Sequence, residues 1–248
     1  MDKSIVENVT VCLPVLNERD VISLVIKEWI EVIDSLPLGS EILIDEGGSK
    51  DGTVEIIQNL QLQYPGKIQV LWQKNPDGFG NSAKRLFSNA NGYWIFFTDS
   101  DGQYSAHDFW KLWERRQNSD FVRGIKLGRQ DPAIRRLASL LWNKSVNFLF
   151  EIPIHDVNSA FLLIKRNSLR KILPMIKHLP TMVLSEIVIR CVLENFRFGP
   201  DIYIIHRARK FGKSRATPGV KLFIVGLQQI VRLFRIKNDY RTQLSELI

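Results

Sequence analysis

The sequence predicts an α/β protein with a mainly parallel sheet flanked by helices, and two observations carry this prediction. Short apolar runs alternate with amphipathic segments through the first hundred residues, in the order strand, helix, strand, helix. The fourth apolar run, residues 93–98, ends abruptly at Asp99 and Asp101, as a buried strand does where it leaves a sheet. A chain of 248 residues that is 45% hydrophobic is large enough for such a sheet and its covering helices.

The first four strands follow from apolar runs, and the helices between them from periodic apolar positions. A strand over residues 9–13 precedes an amphipathic helix over 21–33, whose start is marked by Asn17, Glu18 and Asp20. The other elements predicted before the acidic pair are strands at 41–44, 68–72 and 93–98 and helices at 54–63 and 80–89. Because βαβ units build parallel sheets, helices are expected on both faces.

The alternation is less regular after Asp101. Residues 124–132 are rich in cations and predict a basic loop, and Arg135 and Arg136 begin a helix predicted over 134–150. The other elements predicted in this half are helices at 108–117 and 182–193 and strands at 121–122, 161–165 and 201–206. Neither a repeat nor a linker-like tract interrupts the pattern, so residues 1–217 are predicted to be one domain.

The segment from 218 to 248 is predicted to be a helical tail. Within it, residues 220–236 combine many apolar side chains with Lys221, Arg232 and Arg235, a pattern typical of an amphipathic helix. Three partners remain open for this helix: its own domain, a second protein chain (a membrane protein or another copy), and a membrane interface. At roughly 17 residues the apolar stretch is marginal as a membrane span.

The charge and cysteine content restrict the class of protein. The net charge is +8, with basic residues concentrated between Arg115 and Arg136 and from Arg207 to Arg215. No nucleic-acid-binding signature accompanies the charge, which favours a membrane surface or a small polyanionic substrate. Cys12 and Cys191 fall in predicted core elements and form no disulfide framework. With no apolar signal-peptide core near Met1, we expect a cytoplasmic protein, peripheral at the cytoplasmic face of a membrane.

Each of the first four predicted strands is followed by a polar loop, at residues 13–19, 45–53, 75–80 and 99–103. In a parallel α/β sheet, ligands bind beyond the carboxyl ends of the strands, so these loops are expected to form one site. Asp99 and Asp101 supply two hard oxygen ligands suited to a divalent cation that holds a diphosphate. The alternative is an ordinary polar turn in which the two carboxylates accept backbone hydrogen bonds.

These loops resemble family 2 glycosyltransferases, which have the GT-A fold, and among them the dolichyl- and polyprenyl-phosphate sugar synthases. The resemblance covers residues 9 to about 215. It is carried by Leu13-Pro14 with Asn17-Glu18, Gly48-Ser49-Lys50-Asp51-Gly52-Thr53, Gly78-Phe79-Gly80, Asp99-Ser100-Asp101-Gly102-Gln103, Asp156-Val157-Asn158-Ser159-Ala160-Phe161 and Arg209-Lys210-Phe211-Gly212-Lys213-Ser214.

Three positions depart from the family pattern. Asp45-Glu46-Gly47-Gly48 stands where two adjacent Asp residues usually precede Gly-Ser, so the base-binding carboxylate is either Asp45 or Glu46. Ala160 replaces the glycine of a Ser-Gly-Phe motif. Lys126 stands where an Arg is expected to bind phosphate, and a lysine lacks the bidentate geometry of arginine.

The resemblance implies transfer of a hexose, with inversion, from a nucleotide-diphosphate sugar of the GDP-mannose or UDP-glucose type to polyprenyl or dolichyl phosphate, with Mg²⁺ or Mn²⁺. The nucleotide pocket would be formed by Pro14, Asn17, Glu18, Asp45, Glu46, Gly78 and Gly80. The metal and the sugar diphosphate would be held by Asp99, Asp101 and Gln103. The phosphates of donor and acceptor would be held by Arg135, Ser139, Arg209 and Lys213. Asp101, Arg135 and Arg209 are the residues expected to carry catalysis.

The chemistry of the acceptor distinguishes this reading from its rivals. A hydroxyl acceptor needs a general base, whereas a lipid phosphate is already ionised and needs cations to position it. Many hydroxyl-using relatives carry a Glu-Asp pair, but Glu186 is followed by Ile187. The many arginines favour an anionic acceptor, because guanidinium groups bind phosphate bidentately. The alternatives left open are a soluble family member with a hydroxyl acceptor and a non-catalytic subunit.

Overall fold

A computed structural model describes residues 6–128, 133–152, 154–209 and 219–245. In this part of the chain seven strands form one mixed sheet: β1 (Val9–Val15), β2 (Glu41–Glu46), β3 (Ile68–Trp72), β4 (Trp94–Phe97), β5 (Phe121–Leu127), β6 (Leu162–Lys165) and β7 (Ile202–Ile205). The helices are α1 (Ile22–Asp34), α2 (Thr53–Gln63), α3 (Phe79–Asn89), α4 (Phe109–Glu114), α5 (Ala133–Phe150), α6 (Arg166–Ile172), α7 (Val183–Leu193) and α8 (Gly219–Ser245).

The strands lie in the order β3-β2-β1-β4-β6-β5-β7, and β6 alone among those described runs antiparallel to its neighbours. The chain builds outward from β1 to β2 and β3, then returns to place β4 on the other side of β1. The carboxyl ends of β1 and β4 therefore flank the point where the direction of winding reverses. Ligands of open α/β sheets bind at such a point.

Helix and strand packing follow from the apolar periodicity. In α1 the buried residues Ile22, Ile26, Trp29 and Ile33 recur every three or four positions and cover one face of the sheet. Phe96 of β4 lies at the centre, with Trp29 and Phe109 at 5.1 Å and Phe161 at 4.7 Å between ring centroids. The predicted α/β class with a mainly parallel sheet is confirmed.

The second half of the fold differs from the prediction at three places. Residues 124–127 were expected in a basic loop, but they continue β5, because Gly124 to Leu127 pair in parallel with β7. Helix α6 was missed, since its seven residues, Arg166–Ile172, are too few to show a clear helical period. The C-terminal helix also extends beyond the predicted 220–236, from Gly219 to Ser245, and packs along α5.

No helix in the described ranges combines the length and the apolar character that crossing a membrane requires.

Candidate functional site

A cleft of about 800 Å³ opens at the carboxyl ends of the first four strands. All four strand ends contribute to its wall: Pro14 in β1 and Glu18 after it, Asp45 in β2, Gly78 and Gly80 after β3, and Asp99 and Asp101 after β4. The cleft is also lined by residues from the second half of the chain, namely Lys126, Asn158, Ala160, Pro180, Thr181, Leu184 and Arg209. A cavity of this volume accommodates a ligand of nucleotide-sugar size.

The first two loops are joined by side-chain hydrogen bonds to backbone groups. Asn17 adopts a left-handed conformation (φ 46°) and its Oδ1 accepts from the backbone N–H of Lys50 at 2.8 Å. The backbone N–H of Asn17 donates to Ser49 Oγ, and that of Glu18 donates to Thr53 Oγ1. The structure thus places Asn17 between the loops, outside the set of residues that line the cleft, while Glu18 faces the cleft.

Asp45 and Glu46 point in different directions, as successive residues of a strand must. Asp45 lines the cleft, and its two oxygens accept from Arg85 Nε at 2.8 Å and Nη2 at 2.9 Å. Glu46 is buried and accepts from the backbone N–H groups of Gly48 and Ser49, both at 2.9 Å. Of the two predicted base contacts, Asp45 is therefore the one that lines the cleft, and its contact with a base stays a prediction.

Asp99 and Asp101 stand where β4 leaves the sheet, at the reversal point between β1 and β4. No described residue donates a hydrogen bond to Asp99, while Asp101 Oδ1 accepts from the backbone N–H of Gln103 at 3.1 Å. Desolvation and the neighbouring charge of Asp101 raise the pKa of Asp99 to about 7. Two carboxylates held this close are an anionic centre that a cation would stabilise.

Arg209 bridges the first and fourth loops. Its Nη2 lies 2.6 and 2.7 Å from the two oxygens of Glu18, and its Nη1 lies 3.4 Å from Asp101 Oδ2. Gln103 holds the chain just before Arg209 through two hydrogen bonds to Arg207. The Nε2 of Gln103 donates to the backbone carbonyl of Arg207, and the backbone carbonyl of Gln103 accepts from the backbone N–H of Arg207, both at 2.8 Å. Gln103 is not among the cleft-lining residues, and its place in a metal shell stays a prediction.

The donor chemistry of Asp99 and Asp101 fits Mg²⁺ or Mn²⁺ bound together with a substrate. Among the residues that the structure describes, no group of three or more His, Cys, Asp or Glu side chains could enclose a metal ion. Mg²⁺ is commonly held by one or two carboxylates plus substrate phosphates, and it does not need an all-protein cage. The pair at the end of β4 provides that number of carboxylates beside an open cleft.

The remaining predicted phosphate contacts are distributed unevenly. Lys126, at the end of β5, lines the cleft. Arg135 and Ser139 lie one turn apart on α5, partly exposed and outside the cleft lining. Lys213 lies outside the described residues. The structure therefore brings Arg209 and Lys126 to the cleft, and the roles of Arg135, Ser139 and Lys213 stay predictions.

Two parts of the cleft were missed by the sequence analysis. Arg85 is held by Asp45 and also by Asp77, whose Oδ1 lies 2.9 Å from Arg85 Nη2. In the sequence, Arg85 has the position of an ordinary solvent-facing cation on α3, and nothing there indicates that it pairs with Asp45. The segment that carries Pro180 and Thr181 precedes the predicted helix 182–193 and was assigned no role. A Cβ on Gly80 would lie 2.1 Å from the carbonyl oxygen of Pro180, so this segment closes directly onto α3.

Several residues outside the cleft have structural roles. Glu186 is fully buried and accepts hydrogen bonds from the backbone N–H groups of residues 177 to 179, which gives it an ordering role. Cys12 and Cys191 are buried and free, as expected for core residues. Trp94 and Trp142 are also buried in the core.

The fold and cleft define an α/β protein that binds its ligand at the carboxyl edge of a mainly parallel sheet. The sequence profile of glycosyl transferase family 2 matches residues 10–173, and the chain belongs to this family. It is 32% identical over 145 residues to an undecaprenyl-phosphate 4-deoxy-4-formamido-L-arabinose transferase of Edwardsiella ictaluri (strain 93-146), covering 57% of this chain and 44% of that protein. A transferase of the same name from Aeromonas hydrophila subsp. hydrophila is 28% identical over 160 residues, covering 63% of this chain and 48% of that protein.

The chain thus spans about half the length of these curated relatives. Among solved structures, it superposes on glucosyl-3-phosphoglycerate synthase from Mycobacterium tuberculosis, in complex with Mn²⁺, UDP and phosphoglyceric acid, with a TM-score of 0.67 and 16% identity. That match covers 93% of this chain and 78% of the other. The fold is therefore GT-A.

Proposed function

We propose that this chain is an inverting, metal-dependent glycosyltransferase that moves a sugar from a nucleotide diphosphate to polyprenyl phosphate. One observation carries the proposal: a single cleft holds the carboxylates Asp99 and Asp101 next to the cations Arg209 and Lys126. The names of the undecaprenyl-phosphate transferases support the same acceptor class. A hexose donor of the GDP-mannose or UDP-glucose type remains part of the proposal.

The donor half of the cleft matches the needs of a departing diphosphate. A divalent cation held by Asp99 and Asp101 would supply charge stabilisation to the leaving group as the bond to the anomeric carbon breaks. Asp45 and Pro14 line the part of the cleft proposed for the nucleobase. Gly78 has no side chain and so allows the nucleotide to approach the backbone closely.

The acceptor half favours an anion, because the other carboxylates of the cleft are held by arginines. Glu18 pairs with Arg209, and Asp45 and Asp77 pair with Arg85. No described histidine lines the cleft. A neutral hydroxyl would need one of these groups as a base, whereas an ionised phosphate oxygen attacks the anomeric carbon without losing a proton. Lys126 lines the cleft and is placed to hold such a phosphate, and Arg209 would join it by exchanging part of its contact with Glu18 and Asp101 for a phosphate oxygen.

We further propose that the protein docks on a membrane surface through α5 and α8, and this extends the expectation for the C-terminal helix. One face of α8 packs on the domain through Leu233 and Ile236, which are fully buried. Leu227, Val231 and Phe234 on its opposite face are 63%, 60% and 51% exposed. The neighbouring α5 exposes Ile134, Leu137, Leu140, Leu141 and Phe148 on the face opposite Trp142. We call these eight side chains the α5–α8 surface.

A lipid surface suits the α5–α8 surface better than water does, because eight apolar side chains are exposed on two helices that pack against each other. Lys144 and Arg235 are exposed on the same two helices. Such cations contribute about 1 kcal/mol each near anionic lipid headgroups. A lipid-linked acceptor would then be met at the interface where it resides.

The transfer reaction is tested by measuring nucleoside diphosphate release and sugar incorporation. UDP-glucose and GDP-mannose are each supplied with polyprenyl phosphate, phosphoglyceric acid or a neutral sugar, with Mg²⁺ and with excess chelator. We expect metal-dependent transfer to polyprenyl phosphate. Transfer to phosphoglyceric acid or to a neutral sugar alone would favour the hydroxyl-acceptor alternative, and no transfer from any donor would favour a non-catalytic subunit.

The docking surface is tested by flotation with liposomes that contain anionic lipid. We expect the triple variant Leu227→Ser, Val231→Ser, Phe234→Ser to float much less than the wild type. The matched control is Leu38→Ser, Leu62→Ser, which removes two highly exposed apolar side chains from other surfaces. Equal flotation of the triple variant and the control would contradict the proposal and point to a protein partner or a second copy at α8.

A further inference from the structure

A short turn connects the cleft with the C-terminal helix. Residues 176–181, here called the wall turn, join the 3-10 turn Leu173–Met175 to α7. Ile176 and Leu179 anchor the wall turn in the core. At its other end Pro180 and Thr181 line the cleft. The wall turn is thus a structural element of the candidate site that is partly exposed at the protein surface.

Glu186 holds the wall turn from below. Its Oε1 accepts from the Lys177 N–H at 3.0 Å, and its Oε2 accepts from the N–H groups of His178 at 2.9 Å and Leu179 at 2.6 Å. A fully buried carboxylate is stable only when such donors compensate its charge. The conformation of the turn and the burial of Glu186 therefore depend on each other.

Asp239 of α8 holds the same turn from outside. Its Oδ2 lies 2.7 Å from His178 Nε2 and 3.1 Å from Lys177 Nζ. It also lies 3.9 Å from Nη2 of Arg190, a buried guanidinium whose Nε and Nη1 have no hydrogen-bond partner among the described residues. One carboxylate of α8 thus faces three cationic or titratable groups on and beneath the wall turn.

The cleft end of the wall turn is packed too closely to move alone. The carbonyl of Pro180 leaves no room for a side chain at Gly80, where α3 begins. Ser185, in the first turn of α7, lies 3.2 Å from Asn158 Oδ1 through its Oγ, and Asn158 lines the cleft. A displacement of the wall turn would therefore meet α3 at Gly80, and a shift of the start of α7, which follows the wall turn, would reach Asn158.

We infer that Asp239 is a positioning residue that couples the seating of α8 to the shape of the cleft through His178 and the wall turn. The activity part of this inference rests on the proposed sugar transfer; the coupling itself does not. Because α8 carries part of the α5–α8 surface, whatever binds that surface also acts on the cleft by this route.

The test compares Asp239→Asn with the matched control Asp34→Asn, which removes an exposed ion pair with Lys67. Hydrogen exchange of the full chain is measured at the amides of Lys177, His178 and Leu179. Loss of the charged partner is expected to accelerate their exchange about tenfold in Asp239→Asn, with β1 and β2 unchanged. His178→Gln should accelerate exchange at the same amides. Asp239→Glu, which keeps the charge, should keep their exchange close to that of the wild type.

Turnover supplies the second readout. In Asp239→Asn we expect kcat to fall about fivefold and nucleoside diphosphate affinity to fall less than kcat, because Asp45 is held by Arg85 and Gln73 and not by the wall turn. Unchanged exchange at residues 177–179 in both Asp239→Asn and His178→Gln would overturn the inference. Faster exchange in Asp239→Asn with an unchanged kcat would also overturn it. An inactive wild type would refute the proposed transfer instead, and the exchange measurement would still decide whether α8 and the wall turn are coupled.

Discussion

Replacing Arg85 by methionine tests whether the base end of the cleft depends on one guanidinium. Asp45 is fully buried, and Arg85 supplies both of its charge-assisted hydrogen bonds, at 2.8 and 2.9 Å. Gln73 Nε2 donates a weaker one at 3.1 Å. Removing one partner of a buried pair costs about 3 kcal/mol, at the low end of the known range here because Arg85 is partly exposed. For a chain of this size that loss lowers Tm by about 6 °C or more.

Urea denaturation of Arg85→Met, Asp45→Asn and the double variant measures the coupling. Neutralising Asp45 removes the uncompensated charge, so the double variant should be more stable than Arg85→Met alone. The matched control Lys67→Met breaks an exposed pair with Asp34 and should cost less than about 1 kcal/mol. A loss in Arg85→Met no larger than in the control, or strictly additive losses in the double variant, would refute the reasoning.

Three further predictions concern the cleft and the pH dependence of stability. Asp101→Asn should lower turnover at least about 100-fold; full activity of this variant, or of the wild type in excess chelator, would contradict a metal role. Arg209→Lys should reduce transfer to polyprenyl phosphate although it keeps the charge, because an ammonium group cannot make the bidentate contact with the phosphate that is proposed for the guanidinium. Wild-type kinetics of this variant would contradict the prediction. Hydrogen bonds from Arg197, together with Lys165, hold the pKa of Asp120 well below its usual range. Asp120 therefore stabilises the fold above its unfolded pKa of about 4, and this contribution is lost as pH falls below that value. Urea midpoints should fall less in Asp120→Asn than in the wild type between pH 5 and acid conditions near about pH 3; parallel losses would argue against the assignment.

The first half of the fold was predictable because its signals are local. β3 has the predicted bounds, Ile68–Trp72, and α2 and α3 each begin one residue before the predicted position. Each element there has either a dense apolar run or a helical period, with a polar loop to end it. In the second half, β5 was cut short at Val122, because cations follow it in sequence and only pairing with β7 extends it to Leu127.

The candidate site was predictable as a set of loops but not as a set of contacts. The rule that ligands bind at the carboxyl ends of parallel strands predicts from the sequence alone that Pro14, Glu18 and Asp99 lie together. It could not distinguish Asp45 from Glu46. The pleat of β2 turns Asp45 to the cleft and Glu46 to the amides of the following loop, a difference that only the structure shows.

The sequence by itself determined the order of elements and the chemistry of each loop, because both are written in neighbouring residues. Only the tertiary structure decided which charges are paired. Glu18 and Arg209 are 191 positions apart in the chain, and His178 and Asp239 are 61 apart. The physical reason is that an ion pair depends on distance through space and on burial, and local pattern carries neither across separations of this length.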